Sequence, residues 1–472
     1  MENIKNNIKK FIYSDYYLAL TAAIAFLAWA FNISAAGSIT LIILGSAALF
    51  FADDISPVLP AVLLQTIMMR TNDINAIIPY WPYYICTVPL IIVSLTLFFI
   101  KQIKQRGRPV TGKQMIWLLT AAAGMILSCI FCSAESKEYK YLSVLFAAGY
   151  FAAIIIFYFL SLNYIDKERK RYIAKLFLYA AAAVMAEMLF YYLSVPDVNH
   201  AFRYKTIHLG WGISNNISVY LIIAVPMILY LAVDSKYAWI YTLVSLIACA
   251  GIVFTLSRGC ILFAAIVFPF MYIYALIKTS RKKSIIITFA GFTVTVITIM
   301  LIFRYGVWEL FSGMIEKGFS DSGRIDLYAL ALKIFRENPF FGIGFFGGAL
   351  DRTDAHNMLM AHCTPLQLLM SVGIAGTLCC VMMYFCRFFC FFRKCNLFKL
   401  FAFVSVLVFE LYGLMDITFY NIDLLMFLYI LIGFSEKTDE KDDISTEFIN
   451  RAENKIILKL SAGNKFKRKT VK

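Results

Sequence analysis

The chain has 472 residues, of which 61% are hydrophobic and 15% charged, and its mean hydropathy is +0.75. An ordinary soluble domain is about half apolar and about a quarter charged, so a soluble globular protein is excluded. The net charge of +15 does not mark a nucleic-acid binder, because the Lys and Arg residues fall in short clusters between apolar runs, as in the cytoplasmic loops of membrane proteins.

A helix crosses about 30 Å of hydrocarbon in about 20 residues. Apolar runs near that length predict an all-α integral membrane protein with twelve to fourteen transmembrane helices. In chain order they cover 16–33, 36–51, 56–71, 83–100, 115–132, 140–163, 172–194, 213–233, 237–255, 259–277, 285–303, 364–386, 397–416 and 417–434. The first follows Lys5, Lys9 and Lys10 in the manner of a secretory signal, but a second long apolar run comes directly after it, which predicts an uncleaved first span. Further basic clusters lie around Lys101–Lys113, Lys167–Lys175, Lys278–Lys283 and Arg387–Lys399. An even number of spans separates each cluster from the next, which places the clusters and both termini in the cytoplasm. Residues 304–363 then form one large extracytoplasmic loop, and residues 436–472 a basic cytoplasmic tail with the composition of a disordered segment. Within the loop, Ser322 is placed to cap a helix over Arg324–Phe335 that ends at Asn338-Pro339. The glycine-rich run FFGIGFFGGAL at 340–350 suits an irregular loop or a close approach of backbone to a ligand.

All four histidines, His200, His208, His356 and His362, fall in segments this topology places outside. His200 and His208 read as surface or packing residues. His356 and His362 flank the entry to a membrane helix, where an imidazole titrating near neutrality can take a proton from an attacking hydroxyl. Arg203, Arg258, Arg304, Arg324 and Arg336 lie at or near the same boundary. Arg258, in Thr255-Leu-Ser-Arg-Gly259, sits between two apolar runs with almost no loop, so it either snorkels to lipid headgroups or meets an anionic partner. Guanidinium forks suit a phosphate or diphosphate. The eleven Cys lie mostly in apolar segments without zinc spacing, and Asp351 and Asp354 do not form an Asp-x-Asp pair, so neither a metal nor a cofactor is expected. Glu187 and Glu410 lie inside predicted spans.

Several motifs in order resemble the bacterial O-antigen ligase and Wzy-type polysaccharide polymerase superfamily of multispan glycosyltransferases. They are Gly210-Trp-Gly-Ile-Ser-Asn-Asn216, Ser257-Arg258-Gly259, Arg324 followed by FRENPFFGIGFF at 335–346, and His362 followed after ten residues by Gly373. The resemblance covers about residues 200–435. It divides the chain into N-terminal membrane helices (1–200), a ligase-like catalytic membrane region (201–435) that includes the loop, and the tail (436–472). In that family His-Asn heads the His-x10-Gly pattern. Here Cys363 follows His362, whereas a His-Asn pair stands at His356-Asn357, so spacing favours His362 and the dipeptide favours His356 as the catalytic residue.

The resemblance implies an inverting, metal-independent transfer at the outer face of a bacterial cytoplasmic membrane. The donor is a polyprenyl-diphosphate-linked oligosaccharide, such as an undecaprenyl diphosphate glycan, and the acceptor a glycan or lipid-glycan, in capsule, exopolysaccharide or other cell-envelope synthesis alongside other polysaccharide assembly proteins. On this reading His362 or His356 handles the acceptor proton, Arg258, Arg324, Arg203 and Arg336 hold the diphosphate, and Asn216, Gly373 and Asp416 complete the site. Ligase and polymerase are not separated by motif. The competing readings are a transporter or lipid-glycan flippase, which would carry its polar residues at the bilayer midplane, and a noncatalytic scaffold.

Overall fold

A bilayer offers no partner to backbone N–H and C=O groups, so long apolar runs close their hydrogen bonds internally as helices. The computed structural model describes residues 2–70, 80–134, 136–233, 235–302, 323–345, 360–392 and 394–437, with Arg203 described by its backbone alone. In chain order the helices are α1 (Glu2–Ile12), α2 (Asp15–Ala30), α3 (Ser34–Phe51), α4 (Leu59–Leu63), α5 (Trp81–Arg106), α6 (Lys113–Phe131), α7 (Lys137–Tyr164), α8 (Lys170–Ser194), α9 (Val198–Tyr204), α10 (Ser214–Val233), α11 (Ala238–Phe254) and α12 (Arg258–Lys278). They continue with α13 (Lys282–Ile302), α14 (Arg324–Glu337), α15 (Thr364–Phe392), α16 (Leu397–Tyr412) and α17 (Ile422–Lys437). The described residues contain no β-strand. The chain is an all-α integral membrane protein.

Among the described residues nine helices are long and apolar enough to cross a membrane, or ten if α1 and α2, bent by 61°, count as one span. This is fewer than the twelve to fourteen spans expected, for two reasons. Helices α11, α16 and α17 fall just short in length, at 17, 16 and 16 residues. The expected span 56–71 is not one helix. Pro57 and Pro60 reduce it to a 3-10 turn (Ser56–Val58) and the five-residue α4. This segment still runs the length of the α2–α3 hairpin, with the Ile55 amide on the Tyr164 carbonyl at one end and Met68 O accepting from Ser34 Oγ at the other. Ile67 and Met68 are fully buried, so the irregular backbone is shielded by protein.

Three of the basic clusters meet on one face. Asp53 pairs with Lys9 and Lys101, Arg106 with Asp166 at 2.6 Å and Arg169 with Asp54 at 2.8 Å, and the Lys113 amide donates to Glu436 at 2.5 Å. The even spacing of these clusters along the sequence is thus matched in space. Helix α10 lies at the centre, 89% buried over its span window, and packs against α8, α11, α12 and α16. Its first turn therefore emerges in the middle of the face opposite the basic one.

Two departures from regular helix shape the region around that turn. Gly373 interrupts α15 at φ +60°, ψ −166°. The freed backbone of α15 pairs with the loop before it: Ile374 N to Pro339 O (2.8 Å), Ile343 N to Met370 O (3.1 Å) and Gly344 N to Ser371 O (2.8 Å). A Cβ on Gly373 would lie 2.4 Å from the Phe340 backbone, which accounts for glycine there. Further along α15, Arg387 is fully buried and paired with Glu410 of α16, with its guanidinium 4.4 Å from the Tyr384 ring centroid. The sequence reading put Arg387 in a cytoplasmic loop. Helix α15 instead runs on to Phe392 and carries the charge inside the bundle, where Glu410 neutralises it.

Removing one member of this buried pair should cost about 3–5 kcal/mol, whereas replacing both with apolar residues is often close to neutral. Arg387→Leu and Glu410→Leu should each lower the melting midpoint of the detergent-purified protein, and the double variant should melt above either single one. Gly373→Ala should also lower the midpoint, because strain and a backbone clash add at that position.

Candidate functional site

The site is built where four segments surface together on the face opposite the basic clusters. Helix α16 ends at Tyr412, and in the turn after it the amide of Asp416 bonds to Tyr412 O (3.1 Å), which turns its side chain back towards the bundle. Asp416 Oδ2 accepts from Tyr412 OH at 2.8 Å and from Asn215 Nδ2, in the first turn of α10, at 2.6 Å. Its Oδ1 accepts from the Ile417 amide at 2.9 Å and lies 3.0 Å from His362 Nδ1.

Burial alone would raise the Asp416 carboxyl. The hydrogen bonds from His362, Tyr412 and Ile417, together with the charge of His362, outweigh it and hold the carboxyl below the ordinary carboxylate range. An ionised carboxylate only accepts, so Nδ1 of His362 carries the proton and Nε2 is the nitrogen left outside this contact. The Asp416 side chain is 14% exposed and that of His362 36%, so the imidazole stands at the rim with its partner beneath it. His362 adopts φ +46°, uncommon for a residue with a side chain, and the following Thr364 amide bonds to Gly413 O at 2.7 Å, anchoring the start of α15 against the end of α16.

Two of the predicted arginines join this group. Arg324, at the start of α14, donates through Nη1 to Met415 O at 2.7 Å, next to Asp416. The residue before it, Gly323, takes the left-handed conformation (φ +76°), and the expected cap Ser322 lies outside the described residues. Arg258 opens α12 after a sharp turn in which Leu256 has φ +54°, and Gly259 is held close to the Tyr412 ring. Ser257 beside it donates to Asn215 Oδ1 at 3.1 Å.

Other expectations fall differently. Arg336 is exposed in the last turn of α14, twelve residues beyond Arg324 and so about 18 Å along the helix, and it does not join the group. Of Arg203 the structure describes only the backbone, in α9. His356, Asn357, Asp351 and Asp354 lie outside the described residues. Asn216 donates to Asn421 at 3.2 Å and braces α10 against the start of α17, while its neighbour Asn215 makes the contact with Asp416. Gly373 shapes α15 and its loop, as described above. His208 accepts from the Gly210 amide at 3.1 Å, and exposed His200 lies against the Tyr204 ring. Glu187 accepts from Trp211 at 2.8 Å beneath the loop before α10.

Sequence reasoning missed Lys205 and Asn215. Lys205 follows α9 in the left-handed conformation (φ +56°), and its Nζ donates to Asn215 Oδ1 at 2.9 Å. Burial lowers its ammonium pKa, and Arg258 and Arg324 lower it further, whereas Asp416 opposes them. Three cations therefore act on one another around a single carboxylate. Lys205 stands ten residues before Asn215, which lies in the first turn of α10, and no motif joins the two.

Residues 243–381 match the family model described as O-Antigen ligase. That match supports the O-antigen ligase and Wzy-type superfamily and an O-antigen ligase-like part in surface polysaccharide biosynthesis. The matched segment holds Arg258, Arg324, His362 and Gly373, whereas Lys205, Asn215 and Asp416 lie outside it. No curated protein matches the chain.

The lowered Asp416 carboxyl makes a stability prediction. A group whose pKa falls on folding contributes stability that is present above its unfolded value of about 3.9 and lost as pH falls through the folded value. The melting midpoint of the native protein should exceed that of Asp416→Asn at neutral pH, and the gap should close below about pH 4. A gap independent of pH would show that the charge on Asp416 contributes nothing.

Proposed function

We propose that the protein is an inverting, metal-independent glycosyltransferase that transfers or polymerises a polyprenyl-diphosphate-linked glycan at the extracytoplasmic face of a bacterial cytoplasmic membrane. The observation that carries this reading is the His362–Asp416 contact, 3.0 Å long, in the same region as Arg324 at the start of α14 and Arg258 at the start of membrane helix α12. Asp416 keeps the proton on Nδ1, so Nε2 can receive the proton of an acceptor hydroxyl. The hydroxyl oxygen attacks the anomeric carbon, a new C–O bond forms, and the bond to the diphosphate oxygen breaks with its electron pair. The charge released on the diphosphate is met by Arg258 and Arg324. One displacement inverts the anomeric centre. A carrier lipid whose isoprenoid chain stays in the bilayer brings its diphosphate to this depth, the rim of the bundle.

Placing the basic face in the cytoplasm follows the retention of Lys and Arg there, and it puts both termini inside and the site outside. The remaining partners are a glycan or lipid-glycan acceptor and other proteins of polysaccharide assembly. His356 is retained as the competing base because the His-Asn dipeptide stands there.

The test is transfer from a polyprenyl-diphosphate glycan in proteoliposomes. His362→Ala should lower kcat by about 10²–10⁴-fold, and Arg258→Ala or Arg324→Ala by about 10²–10³-fold, as for loss of one charge-stabilising donor. His356→Ala should stay within tenfold of the native rate (about 1.4 kcal/mol). Full activity of His362→Ala together with loss in His356→Ala would move the base to His356, and full activity in both would remove the proposal.

A further inference from the structure

We propose that Lys205 is a positioning residue of this site: it holds the Asn215 amide on Asp416 Oδ2, and so keeps Oδ1 aligned with His362 Nδ1. The consequence for catalysis rests on the transferase reading above, whereas the geometry does not.

The contacts form a chain. Lys205 Nζ donates to Asn215 Oδ1 (2.9 Å), Asn215 Nδ2 donates to Asp416 Oδ2 (2.6 Å), and Asp416 Oδ1 meets His362 Nδ1 (3.0 Å). Asn215 can serve Asp416 only with its NH2 group facing the carboxylate and its oxygen facing away. Ser257, the second group on that oxygen (3.1 Å), is a hydroxyl that donates or accepts, so it would follow the amide either way round. An ammonium only donates. Lys205 therefore requires the same amide orientation that Asp416 requires, and the amide is locked from both ends.

The lysine is itself well anchored. It caps α9, with its amide on Phe202 O at 3.1 Å, and its left-handed backbone directs the chain away from the helix axis. A third cation beside Arg258 and Arg324 is electrostatically unfavourable unless acceptors offset it, and the Asn215 oxygen and the Asp416 charge do so. Without the ammonium, the Asn215 amide can turn over on Ser257, and only Tyr412 on Oδ2 and the Ile417 amide on Oδ1 still set the rotation of the carboxylate about its Cβ–Cγ bond. The hold of Oδ1 on the imidazole, and with it the preference for one tautomer, is then weakened.

The experiment uses the full-length protein in lipid nanodiscs, with Lys205→Met, which removes donor and charge, and Lys205→Gln, which keeps a neutral donor. Steady-state kinetics with a polyprenyl-diphosphate glycan are read beside nitrogen-15 spectra of selectively labelled histidine, with His362 assigned among the four histidines by His362→Ala. In Lys205→Met, kcat should fall about ten- to a hundredfold with KM for the donor little changed, the size expected when a reacting group is displaced by a fraction of an ångström. The neutral His362 ring should pass from the Nδ1–H form to a mixture of tautomers. Lys205→Gln should recover the Nδ1–H form and most of kcat. An unchanged tautomer population in Lys205→Met overturns the proposal. So does a loss that resides in KM alone, which would make Lys205 a contact of the donor lipid. If His362→Ala keeps full activity while Lys205→Met still shifts the tautomer, the transferase role of His362 fails and the positioning geometry stands.

Discussion

An ionised carboxylate at the edge of an apolar bundle must gather donors from whatever lies within reach, because burial without them costs more than most folds can absorb. Asp416 gathers them from α10, from the end of α16, from its own loop and from the chain entering α15, through Asn215, Tyr412, the Ile417 amide and His362. Asn215, His362 and the turn at 412–417 are far apart in sequence, so their helices can end in this arrangement only if each sits at the right height in the bundle. The position of α10 at the centre, and the anchoring of Thr364 to Gly413, follow the same requirement. The carboxylate thus acts as a vertical register mark for the core helices, and the imidazole it holds stands half-buried at the surface.

The same rule governs the irregular backbone deeper in the molecule. Where Gly373 breaks α15, the run from Pro339 to Gly344 supplies the missing partners. Where Pro57 and Pro60 break the crossing between Asp54 and Arg70, the surrounding side chains close over it. Neither break is exposed to lipid as bare backbone, and each allows a tight approach that a straight helix would forbid.

Most of the architecture was legible in the sequence because hydropathy reports a solvent, and the bilayer is a simple one. Three charge clusters separated by even numbers of spans do share one face. The expected helix from Arg324 is present, His362 meets Asp416, Arg324 bonds to Met415 just before Asp416, and Arg258 is next to Ser257, which reaches Asn215. Other features were less legible. The crossing at 56–71 is apolar enough to be a helix, and only its two prolines hinted that it is not one. Arg387 looked like a loop residue because its partner, Glu410, lies on another helix 23 residues later. Asn215 and Asn216 are adjacent and chemically identical, and which of them faces Asp416 depends on the rotation of α10 about its axis. Lys205 resembled any other loop lysine, since its role comes from a folded-back chain and not from a motif.

Arg387 raises a matter of timing. An arginine at the centre of a lone membrane helix costs about 2.5–3.5 kcal/mol on insertion scales, and less towards an end, where Arg387 lies five residues from the close of α15. The carboxylate that neutralises it belongs to a helix made afterwards. Helix α15 therefore leaves the ribosome as an incomplete electrostatic unit. Its distal half is best retained at the headgroups until α16 emerges, after which the two can enter the bilayer as a hairpin. Biogenesis of the segment that carries His362 at its head is thus coupled to synthesis of the segment that leads to Asp416. A ribosome stalled between them would leave in the membrane a chain that has neither its ion pair nor its site.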